Sequence, residues 1–97
     1  MPTWAATDRF YKDFATLTAG EKAAFRLAVS KLVEDFNAGR PARAGLRVKG
    51  VQGAPGIFEF TWAGDGRATF QFGEERHAGN PHVIWRRIGG HDIFNAP

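Results

Sequence analysis

The sequence contains no cysteine among its 97 residues, which excludes disulfide bonds, thiolate metal sites and cysteine nucleophiles. It also has no apolar run that approaches the roughly 18 residues of a membrane-spanning helix. The first residues lack the basic and then apolar pattern of a secretion signal. We therefore expect a cytoplasmic protein that has no membrane partner. A chain of this length supports one hydrophobic core, which predicts a single domain over residues 1–97.

Acidic residues are absent from positions 37–57, a segment that carries four bases, among them Arg47 and Lys49. Arg86 and Arg87 form a second basic cluster. The net charge of the whole chain is only +3, which is ordinary for a small domain. The positions of the bases are therefore more informative than their total. The planar guanidinium fork of arginine suits phosphate, although a bias in codon usage also enriches arginine.

Two helices are predicted within the first forty residues. In the first, Phe10, Phe14 and Leu17 recur at helical spacing after an N-terminal cap at Thr7 or Asp8.

The second helix begins with the Thr18 to Glu21 spacing of a capping box and ends before Gly39 and Pro41. Its apolar stripe consists of Phe25, Val29, Leu32, Val33 and Phe36. The turn between the two helices is short, which predicts an antiparallel pair.

After residue 41 the period of the apolar residues changes to two, which indicates strands. We predict them at 46–49, 57–62, 67–72 and 82–88, with a hairpin loop at 63–66. The fold class is therefore α+β, with two N-terminal helices packed on one face of a four-stranded, mainly antiparallel sheet. The aromatic residues of the strands are expected to face the helices, and all three tryptophans, Trp4, Trp62 and Trp85, are expected to pack in the core.

Four segments, in this order, resemble the RelE/ParE superfamily of bacterial type II toxins. They are Leu-Arg-Val-Lys-Gly at 46–50, Gly-Ile-Phe-Glu-Phe at 56–60, Gly-Arg-Ala-Thr-Phe at 66–70, and the apolar strand with its basic, histidine and aromatic residues at 82–94. The resemblance covers nearly the whole chain. It implies a short N-terminal strand before the helices, a cognate antitoxin as partner, and cleavage of mRNA on the ribosome without a cofactor.

The resemblance also assigns residues. Arg67 matches the family arginine that contacts the scissile phosphate, and His91 lies where relatives place a histidine or an arginine. Phe94 stands where ribosome-dependent nucleases often have tyrosine. Glu59 and Thr61 fall roughly where one branch has two lysines. These differences leave open a ParE-like inhibitor of DNA gyrase, or a degenerate member that only binds antitoxin or RNA.

Cleavage of RNA without a metal needs a base, an acid and cations around the phosphate. The expected assignment is Glu59 as base and His91 as acid, with Arg67 and Arg87 on the phosphate. Of two successive strand residues only one faces the site, and we favour Arg87 over its neighbour. The nucleic-acid-binding residues are expected to be Arg47, Lys49, Arg86 and Phe94.

Structural alternatives remain open for these residues. Glu59 can pair with a cross-strand arginine such as Arg67, and His91 can hydrogen-bond to Asp92. No convincing metal site is expected, because His77 and His82 resemble a ligand pair only in their spacing.

Overall fold

The protein consists of one five-stranded sheet with two helices and two short 3₁₀ helices. The computed structural model of the chain describes residues 2–97. In chain order the elements are β1 (Thr3–Ala6), α1 (Asp8–Ala15), α2 (Ala19–Asn37), a first 3₁₀ helix (Ala44–Leu46), β2 (Lys49–Gly50), β3 (Phe58–Thr61), β4 (Arg67–Phe72), β5 (His82–Gly89) and a second 3₁₀ helix (His91–Asn95). In this part of the chain no helix combines the length and the apolar character needed to cross a membrane.

The strands are ordered β1-β5-β4-β3-β2, with β1 parallel to β5 and every other pair antiparallel. The prediction of four strands was therefore one short. The missing strand is β1, which the family resemblance implied but which shows no alternation of its own. Thr3 pairs with His82, almost the whole chain away, so no local pattern reveals the partner that makes this segment a strand.

The ends of the helices confirm the local signals. The Thr7 Oγ1 accepts a 3.1 Å hydrogen bond from the Phe10 N–H at the start of α1. At the start of α2, the N–H of Glu21 donates to Thr18 Oγ1 at 3.1 Å, and the Thr18 N–H donates to Glu21 Oε1 at 2.8 Å. Gly39, with φ of +67°, follows the end of α2 in the left-handed region that favours glycine.

The core is an aromatic cluster between the helices and the sheet. Phe25 of α2 lies at its centre, with ring centroids 5.2–6.4 Å from five neighbours: Phe10, Phe14, Phe60, Trp62 and Trp85. Most of these contacts are edge-to-face or tilted, the geometries that aromatic quadrupoles prefer. Aromatic residues of both helices therefore pack against the sheet.

Two expectations about the core and the first predicted strand were wrong. Trp4 is 63% exposed rather than packed, although Trp62 and Trp85 are buried. Within the predicted strand 46–49, Leu46 ends a 3₁₀ helix and Arg47 is left-handed, at φ 50° and ψ 43°. In this segment Leu46 is buried from within a 3₁₀ turn, which produces the alternation of apolar and basic residues without a strand. Only Lys49–Gly50 pairs as a strand.

A buried carboxylate holds the segment between α2 and β2 in place. Asp35 is inaccessible to solvent and accepts hydrogen bonds from Arg40 Nε at 2.8 Å and from the Arg43 N–H at 2.9 Å. The Arg43 Nε and Nη2 donate at 3.0 and 2.9 Å. The bonds from the Arg43 side chain, followed by those from its backbone and from Arg40, hold the pKa of Asp35 well below its usual range in spite of burial. Two of the four bases in the acid-free segment are thus structural.

The hairpin between β3 and β4 supplies a sharp test of packing. A Cβ at Gly66 would lie 2.6 Å from two atoms of the Trp62 ring, whereas a Cβ at Gly64, in the same hairpin, would meet nothing within 4 Å. We expect Gly66→Ala to lower the free energy of unfolding by about 1–3 kcal/mol, the cost of overpacking. Gly64→Ala serves as the control and is expected to change it by less than about 0.5 kcal/mol. Urea unfolding measures both, and equal effects at the two positions would contradict this packing.

Candidate functional site

The face of the sheet opposite the helices, here called the open face, carries the polar residues of β3 and β4. It comprises Glu59, Thr61, Arg67, Thr69 and Gln71, which alternate with core residues along each strand.

Four of the strands align one polar residue each in a single cross-strand row. The register pairs Lys49 with Glu59, Glu59 with Thr69, and Thr69 with Arg87. Neighbouring side chains in such a row lie about 5 Å apart. The Lys49 Nζ lies 3.8 Å from Glu59 Oε1, so the predicted base has a lysine rather than Arg67 as its cross-strand partner.

Arg67 lies at the start of β4, on the open face and diagonal to Glu59. It pairs with Thr61 on one side and Gly89 on the other. The side chain folds back over the hairpin, where Nη1 donates to the carbonyl oxygens of Ala63, Gly64 and Gly66 at 3.3, 3.1 and 2.9 Å. Among residues 2–97 no acceptor occupies its Nε or Nη2. Arg67 as a whole residue is only 9% exposed, yet its guanidinium retains the edge that grips a phosphate.

The two successive arginines of β5 do not alternate as expected. The ladder passes from Thr69–Arg87 directly to Phe70–Trp85, so Arg86 is the extra residue of a β-bulge. Because of the bulge, both guanidinium groups contact the C-terminal segment, defined here as residues 96–97. The Arg86 Nε donates to the Pro97 oxygen at 3.1 Å, and the Arg87 Nη1 donates to the Ala96 oxygen at 3.0 Å. The expectation that these two arginines alternate between the faces of the sheet was therefore wrong.

Arg87 is also tied to α1. Its Nε donates to Asp13 Oδ2 at 2.7 Å, and the Ile88 N–H donates to the same oxygen at 3.2 Å. Burial raises the pKa of Asp13, but the bonds from Arg87 and Ile88 outweigh it, so the pKa lies below the ordinary value. The Asp13 carboxylate thereby accepts a hydrogen bond from the backbone of β5 at Ile88, beyond the residues of β5 that pair with β1. The predicted contact of Arg87 with a phosphate stays a prediction.

His91 and Phe94 share the second 3₁₀ helix at the same end of the sheet as Arg67. Their ring centroids lie 6.0 Å apart at an angle of 78°, and His91 is exposed while Phe94 is half-buried. A Cβ placed on Gly90 would lie 3.6 Å from the Asp65 carbonyl oxygen, so this helix begins beside the hairpin that Arg67 contacts. No hydrogen bond joins His91 to Asp92 in the described residues. The ring of His91 contacts that of Phe94.

The C-terminal segment covers half of the cross-strand row. Thr69 is fully buried, and its Oγ1 donates to the Pro97 oxygen at 3.2 Å. On the other half, the side chain of Glu59 is 18% exposed and that of Lys49 is 70% exposed. Sequence reasoning missed this cover, because Asn-Ala-Pro has no pattern that predicts where it lies.

The described part of the chain contains no group of three His, Cys, Asp or Glu side chains placed to hold a metal ion. The Nδ1 of His82 lies 2.7 Å from Thr3 Oγ1, so this buried histidine links β1 to β5.

The fold of the chain is that of solved toxin–antitoxin structures. It matches a chain of the E. coli DinJ–YafQ toxin–antitoxin complex with a TM-score of 0.66 and 15% identity, over 95% of this chain and 94% of that one. A chain of the RelB–RelE antitoxin–toxin complex from Methanococcus jannaschii matches with a TM-score of 0.62 and 14% identity, over 94% of both. The intact E. coli RelBE complex matches with a TM-score of 0.59 and 15% identity, over 93% and 96%. No family model and no curated protein sequence matches the chain.

The Asp13–Arg87 pair predicts how stability depends on pH. In the unfolded chain the Asp13 carboxyl has its ordinary pKa near 4, and in the folded chain the value is lower. The ionised pair therefore stabilises the fold above about pH 4, and this contribution is lost as the pH falls through the lowered pKa. We expect Asp13→Asn to cost about 1–2 kcal/mol at pH 7, as for hydrogen bonds to charged groups, and progressively less towards pH 2.

Urea unfolding of wild type and of Asp13→Asn between pH 7 and pH 2 measures the difference in their free energies of unfolding. The titration of Asp35 contributes equally to both proteins and cancels from this difference. Glu74→Gln, an exposed change of the same charge, is the control. A difference for Asp13→Asn that stays constant down to pH 2 would show that the pair does not titrate as described.

Proposed function

We propose that this chain is the toxin of a bacterial type II toxin–antitoxin pair and that it cleaves translated mRNA on the ribosome, in the cytoplasm and without a metal ion. The observation that carries the proposal is the placement of Arg67 within this fold. Its guanidinium is anchored through one nitrogen by three carbonyls, while the other two nitrogens have no acceptor in the described chain. An arginine that is fixed in this way is preorganised for a phosphate, since little side-chain entropy remains to be lost on binding.

The reaction follows from the neighbours of Arg67. The Glu59 carboxylate accepts the proton of an RNA 2′-hydroxyl, whose oxygen attacks the adjacent phosphorus. His91 donates a proton to the leaving 5′-oxygen, which yields a 2′,3′-cyclic phosphate and a 5′-hydroxyl end. Arg67 stabilises the added negative charge on the phosphorane, and Arg87 joins it once residues 96–97 have left the β4–β5 half of the open face. No water, metal or redox partner enters this step.

Four residues outside the proposed catalytic set are proposed to bind RNA. Arg47 and Lys49 are exposed beside β2 and contact phosphates without reading sequence. Phe94 stacks on a base, which an aromatic ring can do without the hydroxyl of tyrosine. Arg86 donates to Gln71 Oε1 at 2.6 Å as well as to Pro97. Two of its guanidinium nitrogens are thus already hydrogen-bonded within the chain when it contacts RNA.

An antitoxin partner is supported by an apolar groove on the helical side of the molecule. This groove of about 390 Å³ lies between β1, α1 and α2, and exposed Trp4 forms part of its wall. Lys22 and Arg26 lie over the Phe14 ring at 5.4 and 5.6 Å, and no carboxylate lines the groove. These features fit an amphipathic acidic segment of the antitoxin that folds as it binds.

The gyrase alternative predicts a different activity of the same purified protein. No contact or charge in the described residues favours it. Loss of supercoiling by gyrase at micromolar protein, with transcripts left intact, would replace the nuclease proposal with it.

Expression with transcript-end mapping tests the nuclease. Wild type is expected to generate new 5′ ends within translated regions, and Glu59→Gln and His91→Ala are each expected to slow cleavage about 10²–10⁴-fold, as for loss of a general base or acid. Arg67→Ala also removes bonds that hold the hairpin, so Arg67→Lys is the companion variant that keeps the charge. Arg76→Ala, an exposed loop change, should cleave like wild type. Intact transcripts with folded wild-type protein would refute the proposal.

Trp4→Ala tests the groove. Trp4 is 63% exposed and lines the groove, whereas Leu27 is 60% exposed on α2 and does not line it. Neither truncation should unfold the protein. We expect Trp4→Ala to weaken binding of the antitoxin encoded by the adjacent gene about 10-fold or more, because tryptophans dominate such interfaces. Titration calorimetry measures the affinity, and an equal loss with Leu27→Ala would place the antitoxin elsewhere.

A further inference from the structure

A basic pocket lies at the hairpin end of the sheet, beside the open face. It encloses about 410 Å³ between α2, the first 3₁₀ helix and the β3–β4 hairpin. Its charged wall consists of Lys31, Arg43, Arg47 and Arg67, and no carboxylate lines it.

Three of these four cations have no counter-ion. Arg43 is paired with Asp35 and Glu34, but no ion pair in the described residues involves Lys31, Arg47 or Arg67. Like charges gathered around one cavity repel each other, and an anion placed among them removes that cost.

The backbone at Arg47 adds a second, independent observation. This residue is the only one other than glycine with positive φ in the described chain, at 50°. A side chain in the left-handed region costs about 1–2 kcal/mol, and strain of this kind is often kept where a residue binds something. The N–H of Arg47 donates to the Ala44 oxygen at 3.1 Å, which holds the residue in this conformation at the wall of the pocket.

From these observations we infer that the basic pocket binds a phosphate of RNA next to the one that is cleaved, with Lys31 of α2 as a contact that the sequence did not suggest. The inference rests on the proposed function, since Arg67 and Thr61 border both the open face and the pocket. A phosphate presents several acceptor oxygens at once, which matches a wall that carries several unpaired cations better than a single acidic side chain does.

Salt-dependent binding of a short fluorescein-labelled 2′-O-methyl RNA tests the pocket, because this RNA lacks the attacking hydroxyl and is not cleaved. For single strands, each phosphate contact contributes about 0.7 to the slope of log K against log salt concentration. Lys31→Ala and Arg47→Gly should each weaken binding and reduce the slope by about 0.7. Lys12→Ala, an exposed change on α1 outside the pocket, should leave the slope unchanged.

Arg47→Gly separates binding from folding. Glycine relieves the left-handed strain, so the Tm should be unchanged or raised while RNA binding falls. Unchanged slopes in both variants, or no binding of the RNA by wild type, would overturn the inference. A loss of affinity for a polyglutamate peptide without a loss for RNA would also overturn it and assign the pocket to an acidic protein.

Cleavage and pocket binding are judged separately. If the protein cuts transcripts but Lys31→Ala leaves the slope of log K against log salt concentration unchanged, the pocket inference alone is refuted. The expected slopes with intact transcripts refute the nuclease alone.

Discussion

The close packing of Gly66 against the Trp62 ring sets the position of the β3–β4 hairpin, which Arg67, the second 3₁₀ helix and the basic pocket all border. With Trp62 fixed in the aromatic core by Phe25, the hairpin carbonyls face the Arg67 guanidinium and hold it. The same hairpin borders Gly90, where the second 3₁₀ helix begins, and forms one wall of the basic pocket. A glycine that allows close approach thus couples the hydrophobic core to the proposed chemistry.

Local signals predicted the parts of the fold that local physics determines. The caps at Thr7 and Thr18 need partners only three residues away, and β4 follows from alternation within Arg67–Phe72. The strand β1 was invisible to periodicity because its partner comes late in the chain, and Trp4 was misplaced because β1 lies at the sheet edge.

For the candidate site, strand alternation predicts which residues share a face, but it does not predict their detailed geometry. Arg67 and Glu59 share the open face because strand alternation puts them there. The bulge at Arg86 changes the face of one residue, and no feature of Trp-Arg-Arg-Ile marks it. The cover over Thr69 by residues 96–97 is likewise non-local. The left-handed Arg47 was missed because alternation alone does not distinguish a strand from a 3₁₀ turn that delivers one apolar residue to the core.

The distribution of charges along the sequence predicts the cation set incorrectly in one respect. The acid-free segment 37–57 resembles a phosphate-binding stretch, yet Arg40 and Arg43 are paired with Glu34 and Asp35, which precede the segment. The cation that joins Arg47 at the pocket is Lys31, which comes from a helix with mixed charges. What a polyanion encounters is therefore the set of cations left unpaired by folding.

The covered and uncovered halves of the open face constrain how an RNA strand reaches Arg67. Residues 96–97 bond to Thr69, Arg86 and Arg87, so the β4–β5 half is closed to a strand while they remain there. The exposed half carries Lys49 and Glu59, and the hairpin end carries Arg67 with the basic pocket beyond it. Within the proposed function, a strand that enters over β2 and β3 meets a phosphate contact at Lys49, the base at Glu59 and then Arg67. Continued past Arg67, the same path leads into the basic pocket and does not cross the C-terminal segment. Within the proposed function, the order of these groups along the sheet therefore brings the phosphate next to the cleaved one to the basic pocket, where Lys31 and Arg47 have no ion-pair partner in the described residues.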